Sequence, residues 1–242
     1  MSTLTDKAIY RLDIIHHIYL LALGDKLHLA PIDPNPQWIL DVGTGTGIWA
    51  IDAGEVPPNV EFQIDDAESD WTFKPDFFDL VHMRNLGGAV KNWDKLLGEA
   101  YKYCKPGGWI YMAEYEMAIF SDDGTLDNAP ELQKYYELVS EAAEKTGRSF
   151  YMSKRLKPAI ERAGFEKVHH QGAKIPLGPW AADRKQKELG AYVLLSAETG
   201  FEAFGIQLFT NVLEMKVEDA NTLIQATLRQ AKSRKIHSYT MQ

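Results

Sequence analysis

The chain of 242 residues is predicted to be an α/β protein built on a parallel sheet, and three observations support this. Residues 38–42 form a short apolar run typical of a strand that is buried on both faces. Three glycines follow at alternate positions, and residues 48–51 resemble the first turn of a helix. Further strand-like and helix-like segments alternate up to about residue 116. A strand, a glycine turn and a helix in this order form the ligand crevice of open α/β sheets.

The turn after the first strand follows the pattern D-x-G-x-G-x-G rather than the G-x-G-x-x-G of dinucleotide sites. Asp41 lies at the end of the strand, and Gly43, Gly45 and Gly47 follow it. Glycine adopts positive φ and lets a ligand approach the bare main chain. A carboxylate here would repel a pyrophosphate but suits a cationic ligand, such as the amino group of S-adenosylmethionine. A purely structural turn is the alternative.

Composition narrows the classes of ligand and partner. The formal net charge of −8 and the pI near 5.4 argue against nucleic acid as the main ligand and favour a neutral or cationic small molecule. The single cysteine, Cys104, excludes a disulfide framework and is expected to be a core thiol. We recognise no signal peptide, membrane-spanning run or metal-ligand set, and we predict a cytoplasmic or nuclear protein that does not bind membranes.

The alternating half of the chain yields the following predicted elements, in order. Apolar residues at helical spacing predict a helix over 5–23, and a second helix is predicted over 93–104. Strands are predicted over 60–64, 77–83 and 109–113. The sequence Lys105-Pro106-Gly107-Gly108 is expected to end the second helix and turn the chain.

Polar or acidic residues follow each predicted strand, and such strand ends meet at one edge of a parallel sheet. Candidate cofactor contacts after the second and third strands are Asp65, Asp66, Ala67, Met83, Arg84 and Asn85. Glu114 and Tyr115 follow the fourth strand, where either could act as an acid or a base. His17, on the first helix, is a third candidate base, although a packed or surface histidine is the commoner case.

The second half of the chain loses the strand–helix alternation. Helices are predicted over 130–146, 153–163 and 217–231, and over 180–213 with an interruption at Gly200. Strands are predicted over 165–172 and 235–241. We interpret the whole chain as one domain, with residues 1–30 as an N-terminal cap helix and 121–215 as a mainly helical substrate cap.

Six stretches together resemble the class I S-adenosylmethionine-dependent methyltransferases, and more closely the fungal LaeA-like group linked to secondary metabolism. They are RLDIIHHIYLLALGDKLHLAPI, ILDVGTGTGIWAID, VPPNVEFQIDDAESDWTF, FDLVHMRNLGG, YCKPGGWIYMAEYE and SDDGTL. They cover most of residues 10–126 and are jointly very specific, whereas the C-terminal part matches more loosely. The resemblance implies a Rossmann-like class I methyltransferase sheet with a helical cap, and S-adenosylmethionine as cofactor.

The resemblance also implies roles for individual residues. The pocket for the methionine part would be formed by Asp41, Gly43, Thr44, Gly45, Thr46 and Gly47. Asp66 and Ala67 would meet the adenine, and Met83, Arg84 and Asn85 would line the pocket floor. The first helix, with Tyr10, Arg11 and His17, would cover the cofactor.

One departure from the family pattern affects ribose recognition. Members of the family have a longer helix after the glycine turn and then a second strand whose terminal acid holds the ribose hydroxyls. Here residue 54 is followed almost directly by Val56-Pro57-Pro58, so about twenty expected residues are absent. Either Glu55 or Asp65 takes the place of that acid, or ribose recognition is impaired. Losing this strand also uncovers an edge of the first strand.

The sequence therefore predicts a methyltransferase that acts on a small, apolar natural product. Two alternatives stay open at this stage. The first is a methyltransferase-like protein that has lost methyl transfer and acts as a cyclase or isomerase, which the shortened region favours. The second is a regulatory protein that binds a partner through its first helix or its cap.

Overall fold

The structure is a computed structural model, and it describes residues 4–54, 60–150 and 154–242. The chain divides into two compact units. The sheet unit comprises residues 26–114 and 152–171, and the helical unit comprises residues 1–25, 115–151 and 172–242. Among the described helices, none is long and apolar enough to cross a membrane.

The elements are numbered in chain order. The helices are α1 Leu4–Leu23, α2 Ile48–Gly54, α3 Trp93–Tyr103, α4 Pro130–Lys145, α5 Leu156–Ala163, α6 Arg184–Gln207 and α7 Val217–Ala231. The strands are β1 Ile39–Val42, β2 Phe78–Arg84, β3 Cys104–Ala113, β4 Lys174–Pro176 and β5 Tyr239–Met241. A 3₁₀ turn over Thr125–Asn128 and a π turn over Leu208–Val212 precede α4 and α7 respectively.

The sheet unit contains a parallel sheet with the strand order β1-β2-β3. The register pairs Asp41 with His82 and His82 with Tyr111, so these three residues form one row across the sheet. Because side chains alternate between the two faces of a sheet, a row of paired residues shares one face. Among the described strands β1 pairs only with β2, which leaves it at an edge.

Helix α3 covers the sheet because its apolar residues recur at spacings of three and four. Asn92 caps its first turn by accepting a hydrogen bond from the amide of Lys95 at 3.0 Å. Leu96 and Ala100 are fully buried in the apolar cluster that contains Val81 and Met83 of β2. The adjacent face of the helix, through Leu97, packs against α5. Cys104 belongs to the same core, and burial raises the pKa of its thiol to about 11, so its prediction as a core thiol is confirmed.

The helical unit has a separate core, in which α6 packs against α1 and α7, and α4 packs against α7. Tyr135 of α4 is buried among Phe201 and Phe209, and its hydroxyl donates to the carbonyl of Phe201 at 3.0 Å. Strands β4 and β5 form an antiparallel pair at the C-terminal end of the chain.

The predicted strand over 60–64 is wrong. Described residues 60–66 adopt no regular structure, and the apolar side chains of Phe62 and Ile64 are 56% and 107% exposed. A strand needs a hydrogen-bonding neighbour, and residues 60–66 pair with none of the described strands. Alternation of apolar residues therefore did not suffice here.

Two further predictions are corrected by the structure, and a third is supported by it. Residues 165–172 form no strand, because none of them pairs with a described strand, and His169 and His170 within them are exposed. Helix α6 runs through Gly200 without interruption, because that glycine is buried inside the helical unit and packing outweighs propensity. Residues 105–108 lie within the range of β3 but bulge out of its ladder: Cys104 pairs with Phe78 and Trp109 with Leu80, and Gly107 has a φ of 80°. The chain therefore turns here, as predicted. The predicted start of α5 at residue 153 lies outside the described residues.

Candidate cofactor site at the glycine turn

The turn between β1 and α2 has the left-handed backbone that its glycines predict. Gly43, Gly45 and Gly47 have φ of 73°, 59° and 80°. The amide of Gly47 donates to Thr44 O at 2.9 Å, and the carbonyl of Gly47 accepts the first bond of α2 from Ile51 at 3.0 Å. A residue with a Cβ would be strained at each of the three positions. Gly43 and Gly45 are exposed to solvent, so the outer side of the turn is accessible.

Asp41 places a nearly buried carboxylate beside this turn, with its side chain only 10% exposed. Its Oδ1 atom lies 2.7 Å from Nδ1 of His82. Its Oδ2 atom is buried without a hydrogen-bond partner among the described residues, and Thr44 Oγ1 is in the same condition. A buried acceptor without a partner is costly, so two such atoms at one turn indicate a ligand that supplies donors.

His82 fixes the orientation of that carboxylate. The imidazole is fully buried and stacks against Trp49 of α2, with ring centroids 3.7 Å apart and planes 8° apart, and against Tyr111 at 5.7 Å. Burial lowers the pKa of His82 below its ordinary value, although the hydrogen bond to Asp41 opposes this shift. The ring is therefore neutral near pH 7 and donates through Nδ1 to Asp41.

Sequence reasoning missed His82 as a site residue. It was assigned only to a strand, because nothing in its local pattern distinguishes it from its neighbours. The sequence places His82 in the predicted strand over 77–83, after a first strand that ends near Asp41. This position is the only local feature that could have linked the two residues. Without the register of β2 on β1, the sequence does not show that His82 lies opposite Asp41.

The acidic segment after residue 64 is exposed and holds its own turn together. The carboxylate of Asp65 accepts from the amide of Asp66 at 2.8 Å, and Asp66 Oδ1 accepts from Glu68 N at 3.0 Å. Ala67 is half-buried, and its carbonyl accepts from the indole of Trp71 at 2.9 Å. The contacts of Asp66 and Ala67 with adenine, and of Asp65 with ribose, stay predictions. Glu55, the other candidate ribose acid, lies outside the described residues.

The segment after β2 turns sharply at the carboxyl edge of the sheet. Met83 is fully buried in the apolar core of the sheet unit, whereas Arg84 and Asn85 are half-buried. Asn85 has a φ of 57°, and its amide donates to Ala113 O at 3.0 Å. Their proposed place on the pocket floor stays a prediction.

The three predicted acid/base residues fall in different units. Glu114 belongs to the sheet unit and accepts two backbone hydrogen bonds, from Leu86 N and Gly87 N, both at 2.8 Å. In the helical unit, His17 packs edge-on against Tyr192 at 4.4 Å, and Tyr115 packs against Tyr19 at 5.1 Å. Their catalytic roles stay predictions.

Two other residues were predicted to cover the cofactor from α1. Tyr10 is 61% exposed, and Arg11 lies over the ring of Phe204 in α6 at 5.5 Å. Both belong to the helical unit, and their role toward the cofactor also stays a prediction.

Two apolar side chains lie against the glycines of the turn. A Cβ on Gly43 would come within 2.6 Å of Leu86 Cδ2, and a Cβ on Gly47 within 2.8 Å of the ring of Phe62. These glycines are therefore required both by their positive φ and by the close approach of neighbouring side chains. Leu86 and Phe62 therefore lie directly against the glycine turn.

The residues at the turn fit the amino-acid end of S-adenosylmethionine. Its ammonium group is a donor and a cation, whereas Asp41 Oδ2 and Thr44 Oγ1 are buried acceptors without partners in the described part of the chain. Of the two acids predicted for the ribose, only Asp65 lies among the described residues; it is exposed, and its carboxylate already accepts from the next amide.

Comparison with known proteins identifies the family. Residues 14–170 match the family described as a methyltransferase domain. This chain belongs to that family. The methyltransferase pytC of Aspergillus terreus is 34% identical over 94% of this chain and 76% of its own length. The secondary metabolism regulator LAE1 of Cochliobolus heterostrophus is 32% identical over 95% of this chain and 83% of its own.

Among solved structures, the Haemonchus contortus phosphoethanolamine N-methyltransferase 2 in complex with S-adenosyl-L-methionine is 17% identical, with a TM-score of 0.47. It covers 96% of this chain, which spans half the length of that enzyme. With the family established, the fold is the Rossmann-like class I methyltransferase fold, and the protein is an S-adenosylmethionine-dependent methyltransferase.

Proposed function

We propose that this methyltransferase binds the methionine end of its cofactor at the turn formed by residues 41–47 and methylates a small, largely apolar natural product. The observation that supports this most directly is the Asp41–His82 pair. One carboxylate oxygen is held by a neutral imidazole, and the other is buried without a partner among the described residues. Such a carboxylate is oriented before it meets a cationic donor, which reduces the cost of binding.

The chemistry requires little of the protein beyond positioning. The bound cofactor supplies an electrophilic methyl carbon on a sulfonium: a nucleophile on the substrate forms a bond to that carbon, the carbon–sulfur bond breaks, and the electron pair stays on sulfur. Asp41 offsets the charge of the ammonium group, and His82 keeps the carboxylate in place. If the acceptor is an alcohol, a base takes its proton, and Glu114, Tyr115 and His17 are the candidates.

The substrate class is inferred from the relatives and from the composition of the helical part. Relatives named as a methyltransferase and as a secondary metabolism regulator match over more than nine-tenths of this chain. The helical unit contributes partly exposed apolar side chains, including Leu195 and Phe204 of α6 at 38% and 37% exposure. Partly exposed apolar side chains of this kind favour an apolar ligand.

Calorimetric titration with S-adenosylmethionine and S-adenosylhomocysteine tests the cofactor site. We expect the wild-type protein to bind both compounds and Asp41→Asn to bind both more weakly, since the ammonium group is common to them. Asp79→Asn is the control for the loss of a carboxylate in the same sheet, because Asp79 holds the amides of Gln37 and Trp38 near the N-terminal end of β2, away from His82. Equal affinity of the Asp41→Asn and wild-type proteins would remove Asp41 from the site.

A regulatory role is a second candidate, favoured by the relatives named as regulators of secondary metabolism in Cochliobolus and in Aspergillus. The two candidates differ in their dependence on the turn. A Gly45→Val variant, strained at a φ of 59°, should abolish methyl transfer to extracted metabolites. If the same variant still restored metabolite production in a strain lacking the protein, the regulatory role would be favoured.

A further inference from the structure

The carboxylate of Glu114 lies directly after β3 and is 8% exposed. Each of its oxygens accepts one backbone hydrogen bond at 2.8 Å: Oε1 from Leu86 and Oε2 from Gly87. Two consecutive amides directed at one carboxylate form a specific, charge-assisted arrangement. Both oxygens are therefore engaged with the loop that follows β2.

This carboxylate completes the anchoring of that loop to the end of β3. Asn85 N donates to Ala113 O, and the next two amides donate to Glu114. The loop needs this support because Asn85 adopts a left-handed φ of 57°, which a residue with a Cβ reaches only at some cost in energy. Without the carboxylate, two adjacent amides of the loop would lose their acceptors.

The loop held by Glu114 places the side chain of Leu86 against the glycine turn. Leu86, whose amide is held by Glu114, directs its side chain onto Gly43 so closely that a Cβ there would be 2.6 Å from Leu86 Cδ2. A shift of the loop would move this side chain toward or away from the turn. Contacts run without a break from Glu114 through Leu86 to Gly43.

We propose that Glu114 is a positioning residue for the cofactor site: by holding the amides of Leu86 and Gly87, it fixes Leu86 against the glycine turn and thereby sets the affinity of the turn for the adenosyl cofactor. This inference rests on the cofactor site proposed above. It assigns Glu114 a role that does not require contact with substrate.

The energetics of the carboxylate agree with this role. Burial raises the pKa of Glu114 to about 7, and the two backbone hydrogen bonds oppose that shift. A buried carboxylate is an expensive way to satisfy two amides, since a neutral acceptor would avoid the desolvation cost. A carboxylate, unlike a side-chain amide, offers one acceptor oxygen to each of the two amides.

The test compares Glu114→Gln, Leu86→Ala and the double variant with the wild-type protein by titration with S-adenosylhomocysteine. In Glu114→Gln one acceptor becomes a donor, so we expect the affinity to fall about tenfold. The double variant should bind no more weakly than Leu86→Ala alone, because Glu114 acts through Leu86. Asp79→Asn controls for the loss of a carboxylate that holds two amides, those of Gln37 and Trp38, and should bind normally.

A second readout reports on the loop itself and does not depend on catalysis. In protein labelled with ¹⁵N-leucine and ¹⁵N-glycine, the amide resonances of Leu86 and Gly87 should shift in Glu114→Gln and stay unchanged in Asp79→Asn. This measurement also shows that the variant is folded, since the remaining leucine and glycine resonances serve as reference.

Three results would overturn the proposal. They are an unchanged affinity in Glu114→Gln, unchanged Leu86 and Gly87 resonances in that variant, and additive losses in the double variant. Failure of the cofactor site would be distinguishable, because then Asp41→Asn would also bind as the wild type does. The positioning role is supported if Glu114→Gln lowers the affinity for S-adenosylhomocysteine in the wild-type background but causes no further loss in the Leu86→Ala background.

Discussion

The described residues include two aspartate–histidine pairs with nearly the same nitrogen–oxygen distance. Asp41 and His82 of the sheet unit are joined at 2.7 Å, and Asp123 and His237 of the helical unit at 2.6 Å. The first pair is 1% exposed at the histidine and 10% at the aspartate, whereas the second is 39% and 45% exposed. The chemistry of the two pairs is the same, so differences in their roles come from their surroundings.

The exposed pair is satisfied locally. Asp123 also accepts from Ser121 and from the amide and hydroxyl of Thr125, and the His237 ring stacks on Trp180 at 5.0 Å. These hydrogen bonds hold the pKa of Asp123 well below its ordinary value. The pair links the turn over 121–125 to the C-terminal segment, and its contacts indicate a structural role.

The buried pair differs because it is incomplete. Asp41 Oδ2 and His82 Nε2 are both buried without hydrogen-bond partners in the described part of the chain. Buried polar atoms are normally satisfied, so these two atoms beside a glycine turn support the proposal that the pair belongs to a binding site. The comparison predicts that disturbing the two pairs will have unequal effects.

The largest effect is expected from His82→Leu. Removing the imidazole leaves the carboxylate of Asp41 buried without its donor, which should lower the free energy of unfolding by about 3 kcal/mol and abolish cofactor binding. His82→Asn is the matched variant, since its amide nitrogen can replace Nδ1 as donor. Urea denaturation and calorimetry should show partial rescue by asparagine, and equal losses in both variants would contradict the orienting role.

The next effect is that of Asp41→Asn on affinity. The amide keeps a hydrogen-bonding oxygen but loses the charge that meets the ammonium group. We expect S-adenosylhomocysteine to bind about tenfold more weakly, which corresponds to about 1.4 kcal/mol. High salt should reduce the wild-type affinity only slightly, because the carboxylate is largely shielded from solvent.

The buried pair should also produce a smaller, pH-dependent effect on stability. Because the pKa of His82 is lowered on folding, the imidazole is protonated in the unfolded chain at pH values where it is still neutral in the folded chain. Its contribution to stability is complete above the ordinary histidine pKa of about 6.5 and declines as the pH falls below that value. Glu114, whose pKa is raised to about 7, acts in the opposite direction between about pH 4.5 and 7.

The contribution of His82 is therefore isolated by comparing the wild type with His82→Asn. The difference in stability between the two should shrink as the pH is lowered from 7 to 5. A difference that stays constant over this range would show that His82 does not titrate as its burial predicts.

The smallest effect is expected from Asp123→Asn in the exposed pair. Solvent can replace the lost partner, so the unfolding midpoint should change less than in any variant above, and the affinity for S-adenosylhomocysteine should not change. If Asp123→Asn lost as much affinity for S-adenosylhomocysteine as Asp41→Asn, the proposal that only the Asp41–His82 pair serves binding would be contradicted.

Much of this protein follows from local sequence. The spacing of apolar residues predicted α1, α3, α4 and α7 to within a few residues, because helix formation depends on neighbours three and four positions apart. Gly43, Gly45 and Gly47 predicted the left-handed turn, since few other residues adopt that backbone. The acid at the end of β1 pointed to a cationic ligand before any geometry was known.

What the tertiary structure decided concerns partners that lie far apart in the chain. Residues 60–64 alternate like a strand but have no neighbour to pair with, and a ladder requires two segments. His82 became the partner of Asp41 through the register of β2 on β1, and Glu114 met two amides 27 and 28 residues earlier. Local patterns predict most of the helices and the glycine turn, whereas register and burial, which arise only on folding, decide which polar atoms meet and which have no partner among the described residues.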